Sequence, residues 1–384
     1  MVATGFPYGK SQNIEIIDLT NPSYKCNYLV NTVPKEIVTV HYDLDYALSN
    51  ETYKKPDESD AATNERRQWA MAQYFSKLSI DATQRSDALG GMIQNVPIIC
   101  GGKFYGDFYK DCFVVGQPRL KVQMLEERRW PASIVYNQYS LWIVGGMESK
   151  TSEFVSLKFP PMRGPEFPFT IFGHSMIIHY NNLVYMIGGI VNGGLSGRTW
   201  IVDPMQHFQM VEGPHLNYER CRHSCGLMKI SERYYIVVAG GTGHDNAGAT
   251  VELLDPVKKK WIIGKTISRY IVLCFLQVPT YSVSHSLFLT GPTLPFRIER
   301  SAIVPSPNGR GIILIGGYSV QYSYRKIMTS RESSMLLELS GNSIKDLKWN
   351  ILDQKLQFPR CSHVAFTIPD EVANAMKTAN STDA

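Results

Sequence analysis

The chain has 384 residues, of which 44% are hydrophobic and 19% are charged, and its 39 basic and 34 acidic side chains give a net charge of +5. This apolar content excludes intrinsic disorder for most of the chain. So small a net charge over this length excludes the dense basic surface of an electrostatic nucleic-acid binder. Apolar runs such as 271–276 are far shorter than the ~20 residues of a membrane-spanning helix, so we expect no membrane span.

A strand that ends in two glycines recurs along the chain. Its five full copies end in Gly101-Gly102, Gly145-Gly146, Gly188-Gly189, Gly240-Gly241 and Gly316-Gly317, and the chain opens on the degenerate copy Thr4-Gly5. An earlier apolar strand is often introduced by Arg-x-x-Ala or Arg-x-x-His, at Arg85, Arg129, Arg220 and Arg360. A loop, a third strand and often a fourth strand with a tryptophan follow. Four strands per unit predict a propeller blade, with glycine where the chain turns sharply out of a buried strand.

These repeats resemble those of kelch-repeat β-propellers over nearly the whole chain. The segments 99–102, 111–113 and 222–226 are similar to those of secreted invertebrate kelch-domain proteins in particular. The resemblance implies an all-β fold, and counting the repeats predicts a six-bladed propeller. One C-terminal strand within 362–368 is expected to join three N-terminal strands and close the ring, which removes the free sheet edges.

The predicted organisation has seven parts. In chain order they are strands two to four of the first blade (1–37), an insertion (38–84), blades two to five (85–263), a second insertion (264–291), blade six (292–353), the closing strand of the first blade (354–370) and a disordered tail (371–384).

The two insertions differ in character. Within the first, 65–80 has apolar residues four apart, which predicts an amphipathic helix. This helix either binds a partner on the propeller face or packs on its own domain, and noise in the gene model is a further alternative. Deleting 265–291 joins Trp261-Ile262-Ile263-Gly264 directly to 292–296, in a sequence typical of kelch blade junctions. We interpret this second insertion as a retained intron, with a long surface loop as the alternative.

Three histidines occupy one repeat-equivalent position, at His174, His223 and His363. Kelch-type propellers include copper radical oxidases, but copper needs ligands that converge on one point. We expect repeat-equivalent residues to radiate around the ring instead, so the histidines are predicted to fill the same structural pocket in each blade. Cys221 and Cys225 lack a second Cys/His pair at zinc-ligand spacing and are interpreted as small core residues. No catalytic motif is present, and we expect no metal, no cofactor and no enzymatic activity.

Cys100 and Cys112 are predicted to be neighbours across a hairpin, because one ends a second strand and the other begins the third. A disulfide between them is reasonable if their β-carbons face each other. Glycosylation sequons begin at Asn50 and Asn380. No signal peptide is visible, but the chain begins within a strand. We therefore expect an extracellular protein whose signal peptide is missing from this sequence, with a cytoplasmic location as the alternative.

The loops after the glycine pairs and the loops between blades emerge on one face, because the strands of a blade are antiparallel. Exposed aromatic and charged side chains on such loops are typical anchors of protein interfaces. The candidate binding residues are Tyr105, Phe108, His244, Asp245, Tyr322 and Arg325. We predict a monomeric, non-enzymatic module that binds an unidentified protein partner. The alternatives are a substrate-recognition subunit of a cullin ubiquitin ligase and, third, a copper radical oxidase.

Overall fold

The computed structural model describes residues 2–3, 6–7, 14–17, 19, 27–29, 85–104, 107–114, 122–244, 247–255, 257–263, 292–318, 335–356 and 360–370. The predicted parts 38–84, 264–291 and 371–384 lie entirely outside these residues. Within the described part the fold is all-β, as the repeats predict. Its helical segments are three-residue 3₁₀ turns, such as Pro204–Gln206.

Six four-stranded antiparallel sheets organise the described chain, and we number them sheets 1 to 6 in chain order. Sheet 1 combines both ends of the chain, in the spatial order Val364–Ala365, Val2–Ala3, Ile14–Ile16 and Asn27–Leu29. Sheets 2 and 3 contain Leu89–Ile93, Val96–Cys100, Asp111–Val114 and Val122–Gln123, then Ala132–Tyr136, Ser140–Val144, Ser152–Ser156 and Met162–Arg163. Sheets 4 and 5 contain Ser175–Ile178, Val184–Ile187, Thr199–Asp203 and Gln209–Glu212, then Ser224–Ile230, Arg233–Ala239, Val251–Asp255 and Lys260–Ile263. Sheet 6 contains Ala302–Pro305, Ile312–Ile315, Met335–Ser340 and Lys348–Lys355.

The core lies between neighbouring sheets, so the inner strands are covered on both faces. The second strand of sheet 3 shows this best, because Leu141, Trp142, Ile143 and Val144 are all fully buried. Continuous apolar runs without polar alternation are what such doubly covered strands require. Separate apolar clusters join sheets 2 and 3, 3 and 4, 4 and 5, 5 and 6, and 6 and 1.

The first strands of successive sheets also contact one another. The first strand of sheet 1, Val364–Ala365, contacts the first strands of both sheet 6 and sheet 2. At the sheet 2 contact, a methyl added to Gly90 would lie 3.2 Å from Val364 Cγ2. The C-terminal strand therefore packs between the first strand of sheet 6 and the first strand of sheet 2.

The ten glycines of the five pairs all have a left-handed backbone, with φ between 55° and 127°. At Gly145 the requirement is also steric, since an added Cβ would lie 2.2 Å from the Ile171 carbonyl oxygen. Glycine adopts such a conformation without the Cβ clash of other residues. Beyond each turn the chain pairs with the segment that precedes the first strand, as in Arg220–Cys221 with Thr242–Gly243. Phe6–Pro7 and Arg360–Cys361 make the matching pair at the two chain ends.

Buried arginines stabilise the glycine turns of several sheets by donating hydrogen bonds to their carbonyl oxygens. Arg220 is fully buried; its Nη1 donates to the carbonyl oxygens of Gly240 and Thr250, at 2.8 and 3.2 Å, and its Nη2 pairs with Glu252 Oε1 at 2.8 Å. Burial lowers the pKa of Arg220, and the Glu252 carboxylate opposes that shift. Glu252 also accepts the backbone N–H of Asn217, 2.7 Å away, in the segment that enters the sheet.

The same arrangement recurs in sheet 3 through Arg128, which pairs with Glu153 at 2.6 Å and donates to the Gly145 carbonyl oxygen at 2.7 Å. The expectation that Arg129 introduces this repeat is therefore wrong by one residue. Arg129 is exposed, and Arg128 lies two residues before the left-handed Trp130, the same spacing that separates Arg220 from the left-handed Arg222.

Sheets 4 and 6 replace the charged pair with an apolar one. Ile171 stands at the arginine position of sheet 4, and Trp200 stands at its glutamate position, in one apolar cluster. In sheet 6, Ile298 stands at the arginine position and Leu337 at the glutamate position, again in one apolar cluster. In sheets 3 to 6 this turn is thus stabilised in two chemically consistent ways, since the two positions are either both charged or both apolar.

Cys100 and Cys112 form a disulfide, as predicted. They are direct partners in the pairing of the second and third strands of sheet 2. Both are buried beside Arg85, which pairs with Asp111 at 2.8 Å and donates to the Gly101 carbonyl oxygen. The disulfide therefore lies at the same glycine turn that Arg85 stabilises.

We expect strong coupling between Arg220 and Glu252. Arg220→Ile or Glu252→Leu alone leaves a buried charge unpaired and should lower the free energy of unfolding by about 3–5 kcal/mol. The double variant copies the Ile298–Leu337 pair and should cost about 2 kcal/mol less than the sum of the singles. Urea unfolding of all four proteins measures this coupling. Arg198→Gln, which removes an exposed partner of Glu212, is the control. Additive effects of the two single substitutions at 220 and 252 would show that Arg220 and Glu252 are not coupled.

The disulfide should contribute about 3 kcal/mol to stability, because it closes a loop with a sequence separation of 12 residues in the unfolded chain. Replacing Cys100 and Cys112 with alanine should lower the free energy of unfolding by that amount. Reductant should lower the unfolding midpoint of the native protein and leave that of the double variant unchanged. A non-reducing peptide map of the native protein should contain the linked peptides, and free thiols at both positions would show that the bridge is absent.

Candidate functional site

Two of the six candidate binding residues lie in the described part of the chain. Phe108 is half-buried, and its ring centre lies 4.8 Å from the Arg129 guanidinium and 5.7 Å from Lys103 Nζ. His244 is exposed beyond the glycine turn of sheet 5. No described contact joins Phe108 to His244. The other four, Tyr105, Asp245, Tyr322 and Arg325, lie outside the described residues.

A pocket of about 170 Å³ gathers residues from all six sheets. Each sheet contributes the two adjacent residues that precede its first strand, and we call this site the shared pocket. Its lining consists of Asp87-Ala88, Trp130-Pro131, Gly173-His174, Arg222-His223, Arg300-Ser301 and Ser362-His363. Because the first strands contact one another, the residues at their starts converge.

The first residue of each pair has a left-handed backbone, with φ between 52° and 62°. Only one of these six residues is glycine, and the conformation costs the others roughly 1 kcal/mol each. Backbone hydrogen bonds between successive sheets hold it in place. The N–H groups donate from Asp87 to Ser362, from Ser362 to Arg300, from Arg300 to Arg222, from Arg222 to Gly173 and from Gly173 to Trp130, at 2.7–3.0 Å.

The three histidines therefore line one pocket, and the expectation that they radiate apart is wrong. The expectation fails because the first strands are the strands on which neighbouring sheets meet. Burial lowers the pKa of His174, His223 and His363 to about 3, so all three are neutral near pH 7. Within the described residues, no three histidine, cysteine or carboxylate side chains are placed to hold a metal ion.

The histidines differ in their partners. His223 Nε2 lies 2.8 Å from Ser175 Oγ, across the contact between sheets 5 and 4. Its ring also lies against Gly188, where a Cβ would be 2.8 Å from His223 Cε1. His174 and His363 are equally buried, yet neither ring nitrogen of either residue has a hydrogen-bond partner among the described groups. His223 thus has a packing role, whereas His174 and His363 carry unused hydrogen-bonding capacity.

An aromatic and charged cluster lies at the edge of the shared pocket. Trp130 Nε1 donates to Asp87 Oδ2 at 3.0 Å, and the Trp130 ring stacks on Phe172 with centroids 6.1 Å apart. The Arg222 guanidinium lies 5.0 Å from the Trp130 ring centre. Arg300 Nη1 lies 3.5 Å from Ser362 Oγ. Two arginines therefore face one aspartate in the lining.

Sequence reasoning missed Asp87, Trp130, Arg222 and Arg300. The one signal available was their common place in the repeat, immediately before the histidine position, but the residue type at this position differs from repeat to repeat.

The chain matches no protein-family model, and no curated protein matches it either. None of the helical segments in the described part has the length and apolarity that crossing a bilayer requires.

Acid should destabilise this protein through the buried histidines. Their pKa values are about 3 when folded and about 6.5 when unfolded, so the unfolded chain binds more protons between these values. Stability is therefore complete above pH 6.5 and falls as the pH drops, by about 2 kcal/mol per histidine at pH 5. Urea unfolding at pH 7.5 and pH 5.0 tests this. His174→Gln should reduce the loss, the same change at exposed His215 should not, and an equal pH response in both variants would refute the assignment.

Proposed function

We propose that the chain is a six-bladed propeller of kelch type, closed into a ring by sheet 1. The cyclic contacts of the first strands support closure, since Val364–Ala365 touches the first strands of sheets 2 and 6. The pairing of Val2 with Ala365 and of Ala3 with Val364 joins the two ends of the chain in one sheet. The six equivalent pairs around the shared pocket support six blades. The recurrent glycine pairs with left-handed backbones support the kelch assignment.

Within this fold we propose a non-enzymatic module that binds a protein partner on the face where the shared pocket opens. The observation that carries the proposal is the convergence of aromatic and charged side chains from six sheets on that pocket. Antiparallel strands place the glycine turns and the segments before the first strands at the same edge. Phe108, Arg129 and Trp130 therefore belong to one face, and such side chains are favoured as interface anchors.

The reactive groups in the described part support binding over catalysis. Ser175 and His223 are in hydrogen-bond contact, but a histidine with a pKa of about 3 is a weak base near neutral pH. Burial also raises the pKa of the Cys225 and Cys361 thiols to about 11, which keeps them from forming nucleophilic thiolates. The disulfide between Cys100 and Cys112 supports an extracellular place of action, because such bonds persist in oxidising compartments.

Site-specific photo-crosslinking tests the binding face. A benzophenone amino acid at Arg129, which is exposed on the proposed face, should capture a discrete partner from an extract of the native source. The control position is Met205, which is 81% exposed in the turn between the third and fourth strands of sheet 4, at the opposite edge. The same label at Met205 should capture nothing discrete. Equal capture at both positions, or capture at Met205 alone, would overturn the proposed face, and no capture at either would overturn the binding function.

A further inference from the structure

We propose that the shared pocket binds one carboxylate group of a ligand, an inference that rests on the proposed function and specifies what the face recognises. A carboxylate reaches the pocket either as an acidic side chain of a protein partner or as a free small acid. The two sources share the same chemistry in the pocket and differ in what surrounds the carboxylate.

The pocket has the space that such a group needs. Its volume of about 170 Å³ exceeds that of several water molecules, each of which occupies about 30 Å³ in the liquid. Six sheets form its wall, and the backbone hydrogen bonds from Asp87 round to Trp130 fix the residues in it. A ligand therefore meets a preformed site and causes little ordering of the protein on binding.

The charged groups of the lining favour an anion. Arg222 and Arg300 contribute two positive charges against the single negative charge of Asp87, and the histidines are neutral. No hydrogen bond or ion pair of the Arg222 guanidinium occurs among the described groups, and its one described contact is with the Trp130 ring. Arg300 Nε is buried and also lacks a partner there. A guanidinium has a planar array of donors that matches a carboxylate.

The unused histidine nitrogens are a second and independent observation. His174 and His363 are 6% and 7% exposed and line the pocket, and their four ring nitrogens have no described partner. Buried polar groups are almost always hydrogen-bonded, so each exception calls for a partner. A neutral imidazole offers one N–H donor, and two such donors beside two arginines can complete the coordination of a carboxylate.

Asp87 selects a carboxylate over a phosphate. Two arginines and one aspartate leave a lining charge of +1, which a singly charged carboxylate neutralises. A phosphate group carries nearly two negative charges at pH 7 and would be repelled by the Asp87 carboxylate. Trp130 Nε1 holds that carboxylate in place at 3.0 Å, so it is a fixed part of the wall.

Acetate is the simplest probe of the pocket. Titration of carboxyl-¹³C acetate into the purified chain, followed by line broadening, should show saturable binding. The variant Arg222→Gln/Arg300→Gln should weaken binding at least tenfold, while the matched surface variant Arg163→Gln/Arg198→Gln should leave it unchanged. Equal unfolding midpoints of the two double variants show that the first one keeps its fold. Asp87→Asn should tighten acetate binding and also admit inorganic phosphate.

Peptides distinguish the two sources of the carboxylate. The capped tripeptides acetyl-Gly-Glu-Gly-amide and acetyl-Gly-Gln-Gly-amide differ only in the acidic group. Arginine-dependent binding of the glutamate peptide identifies an acidic side chain as the ligand group, whereas binding of acetate alone identifies a free small acid.

The proposal is overturned if neither acetate nor the glutamate peptide binds, if Arg222→Gln/Arg300→Gln binds them normally, or if wild-type protein binds phosphate as tightly. Failure here with persistent capture at Arg129 refutes the carboxylate site alone. Loss of capture at Arg129 refutes the binding face itself, so the two failures are distinguishable.

Discussion

The rest of the structure depends on the backbone hydrogen bonds between the left-handed residues that precede the first strands of neighbouring sheets. These bonds join five of the six left-handed residues to the carbonyl oxygen of the neighbouring sheet, and the first strands of these sheets are in contact. Glycine would adopt this conformation at the least cost, yet only one of the six positions, Gly173, is a glycine. Trp130, Arg222 and Arg300 keep large side chains at a strained position. Strain that persists in a well-packed framework is typical of functional sites, which agrees with a role for these side chains at the pocket.

The glycine turns show how one geometric task is solved by two chemistries. Arg220 with Glu252 satisfies carbonyl groups that the sharp turn leaves exposed to the core. Ile298 with Leu337 fills the same space with apolar atoms. Replacing both members of a buried pair together avoids an unpaired charge, whereas replacing one member does not. In sheets 3 to 6 the two positions are therefore both charged or both apolar, so the arginine is not present in every repeat.

Much of the fold could be predicted because the left-handed turns require glycine, so each turn can be recognised in the sequence as a glycine pair. They give the period, the second strands and the placement of Cys100 opposite Cys112. The register error at Arg129 arose because Pro131, and not Ala132, stands at the position that His223 occupies in sheet 5. The pocket could not be predicted in the same way. Its left-handed residues share a conformation and not a residue type, and their convergence depends on contacts between sheets that are distant in sequence.

The buried histidines connect stability with ligand binding. Near neutral pH they are uncharged, so the pocket holds two arginines without further repulsion. Protonation of His174 or His363 in acid would place a third positive charge beside Arg222 and Arg300. A bound carboxylate that remains ionised would offset this charge, which raises the histidine pKa in the complex relative to the free protein. A ligand that binds only the folded state also stabilises it by mass action. Because the carboxylate raises the histidine pKa, it would bind more tightly as the histidine becomes protonated, and occupancy of the pocket would therefore oppose acid unfolding.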